Sequence, residues 1–382
     1  MFASARAPMR VTFVLPHAGM AGGVRVLAIH ASRLQQRGHQ VTVVSTPQWQ
    51  PPLKRRVKSL LCGRGWPKGA EPEPSWFDGL GVAHRVLERV RPVTDADVPD
   101  ADVVLATWWG TGPWVAALSP RKGAKAIFLQ GYETSPGEFH PQMDAAWRLP
   151  LRKIVVASWL AALAQERFGD ADAHLVPNSV DTGQFHAAER GKQARPTAGM
   201  LYTTFHAKGA AVSLAALQRV RRRLPELRVL AFGAERVSPQ LPLPDWIEFH
   251  YRPTQEEIRR LYAQCDVWLC GSRREGFHLP ALEAMACRCP VVSTRMGGPQ
   301  DFIDEGANGF LVDVDDAAAL SEGLLKIFQS EETRWKRMSD AALATATRYT
   351  WDDATSLLEA ALAGIAQSGA ISNHRHEQPC AA

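Results

Sequence analysis

At 382 residues, 46% hydrophobic and 22% charged, the chain has the balance of a soluble globular protein and is too long for one ordinary core. It suits two domains of roughly 150–200 residues each. A net charge of +5, from 44 basic and 39 acidic residues, is too mild for a nucleic-acid binder and fits a protein handling anionic substrates. No apolar run reaches about 18 residues, so no membrane span is expected. The first ten residues lack an apolar signal core, and Met9, directly before the first strand pattern, is an alternative start. The cysteines at 62, 265, 270, 287, 289 and 380 include no CxxC pair, which points to reduced thiols, a cytoplasmic compartment and no zinc.

In chain order, 11–15 reads as a strand, followed by a loop ending in Gly22-Gly23 and a helical pattern over 24–36. Gly38 stops it and 41–44 forms a second strand, a βαβ unit with its glycine loop at the carboxyl end of the first strand. The dinucleotide fingerprint GxGxxG is not met by Gly19-Met20-Ala21-Gly22-Gly23, which disfavours a NAD site. Residues 47–80 are Pro-rich and basic, with Trp49, Trp66 and Trp76. Within them 51–61 is short, cationic and amphipathic. Two readings stay open: a solvated insertion, or a segment (53–61) resting on anionic lipid or guiding an anionic ligand.

The strand 102–106 ends at Thr107-Trp108-Trp109, where two rings suit stacking on a sugar; core filling is the alternative. Asp95-Ala96-Asp97 and Asp100-Ala101-Asp102 have the form of an Asp-x-Asp metal motif but precede a strand, so they read as turns. The strand 126–129 leads into Gln130-Gly131-Tyr132-Glu133, and 154–158 with a helix over 159–168 closes the first half. Polar residues 187–196 read as a linker.

The second half repeats the plan: strand 199–202, a loop with Lys208-Gly209, a helix near 211–224 and strand 228–233. The run Arg221-Arg222-Arg223 reads as a helix end. Strand 246–251 and helix 254–265 lead to the apolar strand 266–270 and then to Glu275-Gly276-Phe277-His278-Leu279-Pro280. Pro280 suits the first turn of a helix, and Leu282, Met285 and Ala286 form its inner stripe. The N–H groups from Gly276 to Leu279 should then be unpaired and able to hold phosphate. Glu275 and Glu283 bracket that cradle. Like charge keeps them off a phosphate, so they suit hydroxyls on either side of it, the layout of a nucleotide sugar. A core helix with two surface glutamates is the bland alternative. Gly297-Gly298 is a second glycine loop, 349–365 a terminal helix, and the tail from Ala366 lacks an apolar period.

Residues 275–286 read EGFHLPALEAMA, and 286–312 continue ACRCPVVSTRMGGPQDFIDEGANGFLV. The string resembles the signature of the family 4 retaining glycosyltransferases, EGFGLPxLEAMA. The resemblance implies an α/β fold of GT-B type, two Rossmann-like doubly wound domains facing each other across a cleft. The expected division is 9–185 for the acceptor side, 196–347 for the nucleotide sugar, 348–366 for a helix crossing back, and 367–382 for a disordered tail.

The implied activity is a retaining, metal-independent transfer of sugar from a nucleotide diphosphate to an acceptor hydroxyl (EC 2.4). No cofactor is implied beyond the donor substrate. By the same resemblance Glu275 and Lys208 are catalytic, Glu275 orienting sugar hydroxyls and Lys208 stabilising the leaving diphosphate. Gly22, Gly23, Gly209, Gly233, Arg252, Gly276, Phe277, His278, Leu279 and Glu283 join them in binding the donor, with Glu283 on the ribose. Trp108, Trp109, Gln130 and Glu133 are the acceptor candidates.

Three departures stand out. The family pattern GRLxxxKG is met at Lys208 and Gly209, but its arginine falls at Tyr202-Thr203-Thr204; Arg252, Arg273 and Arg274 are the candidate replacements. The usual histidine of the 130–133 loop is missing, leaving Gln130, Glu133, His140 and His17 as candidates beside the reacting centre. The loop resembles the QxYE variant of bacterial rhamnosyl- and polysaccharide transferases. Third, Ser179 replaces the glycine of the family's VIPNGVD junction. The expected partners are a nucleotide sugar and a saccharide, lipid-linked or other hydroxyl acceptor, in polysaccharide, lipopolysaccharide or glycoconjugate assembly. Nucleic acid is not expected; peripheral contact with the inner membrane through 53–61 is the second of the two readings left open for that segment. A nucleotide-sugar 2-epimerase of this architecture and a non-catalytic scaffold are the rival readings.

Overall fold

The computed structural model describes residues 7–48, 74–132 and 140–376. Segment 53–61, Trp49, Trp66 and Glu133 lie outside the described residues. The first half forms one parallel sheet from β1 (Arg10–Leu15), β2 (Gln40–Ser45), β3 (Ala83–Val86), β4 (Val103–Ala106), β5 (Ala124–Leu129), β6 (Arg152–Val155) and β7 (His174–Leu175). Its order is β3-β2-β1-β4-β5-β6-β7. Central strands such as β4 are buried at every position, because helices cover both faces of a parallel sheet and only unbroken apolar runs suit that setting. The covering helices are α1 (Gly22–Gln36), the short α2 (Gly112–Ala116), α3 (His140–Trp147) and α4 (Ser158–Phe168). Helix α1 starts at Gly22, so the glycine pair forms its first turn rather than the loop before it.

The second half repeats the arrangement with β8 (Thr197–Leu201), β9 (Arg228–Gly233), β10 (Ile247–Tyr251), β11 (Val267–Cys270), β12 (Val291–Thr294) and β13 (Gly309–Val312). The order is β10-β9-β8-β11-β12-β13, and every pairing in both sheets is parallel. Its helices are α5 (Ala210–Arg223), α6 (Gln255–Ala263), α7 (Leu279–Ala286), α8 (Ala317–Phe328) and α9 (Glu332–Thr347). Each sheet starts in its middle, grows outward, then returns to build the other side. Ligands of such sheets bind outside the carboxyl ends of the strands where the order reverses. Those places lie between β1 and β4 and between β8 and β11. The loop carrying Lys208 and the loop opening α7 therefore share one crevice.

A last helix, α10 (Trp351–His376), leaves the second half and packs on α1 and on β4, β5 and β6. Arg33 and Arg37 of α1 each reach Asp352 at 2.9 Å, and Arg37 reaches Glu359 at 2.8 Å. His30 is enclosed between Phe128 and Trp351, and burial pushes its pKa down to about 3, so it packs as a neutral ring. The helix runs past Ala366 to His376, where the sequence pattern suggests a tail. Propagating a formed helix adds a hydrogen bond for each residue fixed, whether or not that residue has a face to bury. Among the described residues no helix is long and apolar enough to cross a membrane.

The halves share an apolar core. It passes from the first sheet through Phe185 to Tyr262, whose rings lie 6.0 Å apart, and on to Trp268, 4.7 Å from Tyr262. Leu358 of α10 is fully buried in this core while its neighbour Leu357 is exposed. Leu358→Ala is expected to cost about 2–5 kcal/mol in urea unfolding, and Leu357→Ala well under 1 kcal/mol. Equal effects would show that α10 does not hold the first half as described.

Candidate active site

The turn into α7 decides the local geometry. His278 is its N-cap in left-handed conformation, with φ 74° and ψ 67°, and Pro280 sits in the first turn. The chain thus enters the helix with the N–H groups of Gly276, Phe277, His278 and Leu279 meeting no acceptor among the described residues. An unpaired amide row at a helix start favours an anion. The Phe277 ring turns away and packs on Phe302.

Glu275 precedes this row and is buried. Lys208 Nζ donates to both its carboxylate oxygens, at 2.8 and 2.7 Å, and Ser272 Oγ donates to Oε1 at 2.9 Å. His278 Nδ1 lies 3.1 Å from the same oxygen, while its Nε2 meets Cys270 Sγ at 2.8 Å. Burial alone would push Glu275 up, but His278 and Lys208 outweigh it and hold the carboxyl down to about 2. For His278 burial works downward, yet Cys270 and Glu275 raise it to about 10. Glu275 is therefore a permanently charged acceptor.

Glu283 lies two turns of chain further on, facing the other half. Arg25 of α1 donates to its Oε1 at 2.7 Å and to Gln184 at 2.5 Å, with the guanidinium between the rings of Trp76 and Phe185. Tyr262 OH donates to Oε2 at 3.2 Å. Burial pushes Glu283 upward, with Arg25 and Tyr262 pulling it down. A carboxylate has about four lone-pair sites, so these two bonds leave it able to accept from hydroxyls.

Lys208 reaches Glu275 because of Gly209, which is left-handed at φ 57°; a Cβ there would sit 1.8 Å from the Gly271 carbonyl. Only glycine lets the two crevice loops approach that closely. The position of the family's arginine carries the opposite charge: Thr203 and Thr204 bind the Glu235 carboxylate through bonds of 2.6 to 2.8 Å. Gly233 ends β9 against the Tyr202 carbonyl, a close approach within the sheet. Arg252, at φ 50°, is exposed, lies over the Tyr251 ring and donates to the Ala234 carbonyl. Arg273 pairs with Asp315 at 2.7 Å.

The two halves meet over the amide row. A Cβ on Gly276 would lie 1.6 Å from the Gln130 carbonyl, and Trp159 Nε1 donates to the Gly276 carbonyl at 2.8 Å. Ser158 N donates to Asp301 at 2.8 Å. On the first-half side a cavity of about 340 Å³ opens between β1 and β4, lined by His17, Gly23, Thr107, Trp108, Trp109 and Gln130. The Trp108 ring is partly exposed and tilts against Trp109, centroids 4.4 Å apart. Gln130 donates to the Gly23 carbonyl at 3.0 Å. The structure thus gathers Gly23, Gln130 and the tryptophans, while nothing crowds Gly22. His140 opens α3. The four aspartates of the Asp-x-Asp runs are engaged separately: Asp95 by Ser119 N, Asp97 by Arg91, Asp100 by Lys122 and Asp102 by Arg10.

Sequence reasoning missed Arg25, Tyr262, Gln184, Trp159 and the ring contacts of His278. Arg25 and Glu283 are 258 positions apart, so no local pattern links them. Only the histidine at 278, where the signature writes glycine, was a visible anomaly.

The chain is similar to known proteins along most of its length. Residues 20–184 match the family described as Glycosyltransferase Family 4, and residues 183–344 match Glycosyl transferases group 1. A D-inositol 3-phosphate glycosyltransferase of an Arthrobacter species is 29% identical over 405 aligned positions, covering 94% of each chain. The lipopolysaccharide core biosynthesis glycosyltransferase LpsE of Rhizobium meliloti is 26% identical, covering 85% of this chain and 91% of that protein. HepE of Anabaena, crystallised with UDP and glucose, superposes with a TM-score of 0.68 at 15% identity, covering 93% of this chain and all of that one, a likeness of fold.

Two outcomes follow from the contacts. Because the pKa of His278 is raised, its charge stabilises the fold fully below about 6.5, and that contribution is lost as pH climbs through about 10. Its charged or titratable neighbours are Glu275, Cys270, Lys208 and Glu283. The unfolding free energy of wild type minus that of His278→Asn, which tolerates a left-handed turn, should fall between those pH values; a flat difference would exclude the charge. Gly276→Ala should push the halves apart at Gln130 and lower turnover on the order of 100-fold at nearly unchanged melting temperature. Full activity in that variant would mean that the contact is absent during the reaction.

Proposed function

The chain belongs to glycosyltransferase family 4, and from that premise we propose that it transfers a sugar with retention, without a metal, in the assembly of a surface polysaccharide, lipopolysaccharide or other glycoconjugate. The donor is a nucleotide sugar. One observation carries the site assignment: an acceptorless amide row bracketed by two buried glutamates, with Lys208 beside it. In this reading the row and Lys208 hold the diphosphate as the glycosidic bond breaks. Preorganised donors aimed at developing negative charge are the largest single source of rate acceleration in sites of this kind.

Glu275 accepts hydroxyls of the sugar and Glu283 those of the ribose. The acceptor hydroxyl enters from the cavity lined by Trp108, Trp109 and Gln130. Its proton passes to the leaving phosphate on the same face, so no protein nucleophile is required. Closure over Gly276 keeps out water that would otherwise hydrolyse the donor. The carboxylates of the Asp-x-Asp runs, each tied to its own partner, support a path without a metal.

The Rhizobium relative's role in lipopolysaccharide core biosynthesis supports the pathway reading. A phosphorylated polyol acceptor is the second reading, favoured by the near full-length match to the D-inositol 3-phosphate enzyme. Family membership sets aside the 2-epimerase.

The test begins with thermal shifts against UDP, GDP, dTDP and ADP and their sugars, followed by turnover with and without acceptor. Proton NMR of the product should give the donor's anomeric configuration; an inverted product would overturn the mechanism. Lys208→Ala should lower kcat on the order of 100- to 1000-fold. Glu283→Ala should weaken donor binding by about 10- to 100-fold, in a protein that still folds. Unchanged donor affinity in both would remove the site.

A further inference from the structure

We propose that Arg274 binds the donor's diphosphate and supplies the positive charge that the segment before Lys208 lacks. This inference rests on the donor-site reading above. The other cations of the crevice, the His278 ring against Glu275 and Cys270 included, are already engaged or solvated. Lys208 is shared with both oxygens of Glu275, which leaves only part of its charge for a phosphate, while Arg25 is bound to Glu283 and Gln184 and Arg273 to Asp315. Arg252 is exposed over Tyr251, where water hydrates its charge. The family's arginine position cannot help, because Thr203 and Thr204 hold a carboxylate there.

Arg274 differs from all of these. It is half-buried, and among the described residues it meets no carboxylate within ion-pair distance and makes one side-chain hydrogen bond, from NH1 to the Tyr132 carbonyl at 3.2 Å. A guanidinium carries five N–H donors in a planar fork, so most of its capacity is unused. Burial lowers its pKa from the ordinary value, the mark of a charge removed from water without repayment. Removing a cation from water is costly unless an anion or a full set of hydrogen bonds compensates.

Its place in the chain says which anion. The backbone N–H groups of Arg273 and Arg274 both donate to the Ala207 carbonyl, at 2.8 and 3.4 Å, which seats them beside Lys208. Two residues later the amide row begins at Gly276. A phosphate on that row lies next to a planar fork that grips it through two parallel bonds, which a lysine cannot do.

The test compares wild type, Arg274→Met and Arg274→Lys by calorimetry. The probes are the nucleoside diphosphate selected by the thermal-shift panel and the matching nucleoside, which lacks phosphate. Wild type should prefer the diphosphate. Arg274→Met should weaken diphosphate binding by about 10- to 100-fold and leave nucleoside binding unchanged, and Arg274→Lys should recover only part. If wild type discriminates and Arg274→Met (or Arg274→Lys, should the Met variant not fold) binds the diphosphate equally well, Arg274 is not a phosphate ligand. If wild type shows no preference for the diphosphate, the donor site itself is misplaced and the proposal falls with it.

Discussion

A single left-handed residue governs the site. His278 at φ 74° swings the chain from the loop after β11 into α7, and the amides on that bend cannot meet carbonyls of their own helix. The same bend puts Glu275 on one side of the amides and, eight positions later, Glu283 on the other. With an ordinary right-handed entry the amides would be taken up by the helix and the two acids would not bracket anything. L-residues other than glycine, asparagine and aspartate resist this conformation at a cost of roughly 1–2 kcal/mol. Here the imidazole offsets it by contacts with Glu275 and Cys270 that glycine could not make.

Both acids are buried, and buried charge must be matched. The matching comes from different directions. Glu275 is neutralised within the second half, by Lys208 and His278. Glu283 is neutralised from the first half, by Arg25. Truncating one partner of a buried pair leaves the other uncompensated at a cost of about 3–5 kcal/mol. The Arg25–Glu283 pair therefore ties the Glu283 side of the crevice to this arrangement of the halves, alongside the packing of Gly276 on Gln130.

The sequence made the repeated βαβ plan legible, because parallel strands covered on both faces must be unbroken apolar runs and the glycine loops mark their carboxyl ends. The amide row was legible too, from Pro280 and the stripe of Leu282, Met285 and Ala286. What pairs with what was not. Arg25 looks like any basic residue of an amphipathic helix until the fold brings Glu283 to it. Thr203 and Thr204 look like neutral loop residues until Glu235 arrives from beyond β9. The end of α10 was misjudged for a different reason: lack of an apolar period speaks to burial, whereas helix continuation depends on backbone hydrogen bonds.

Charge accounting also explains why the histidine and the missing arginine belong together. Lys208 serves Glu275. A diphosphate that attracts Lys208 takes that cation away and leaves a buried carboxylate. With glycine at 278, Ser272 alone would remain to hold it. With histidine there, Glu275 would keep a cationic neighbour at 3.1 Å if the lysine were drawn away. With no arginine before Lys208, a phosphate would fall to Lys208 and the proposed Arg274, and a second cation on Glu275 is the compensation that low-dielectric surroundings demand.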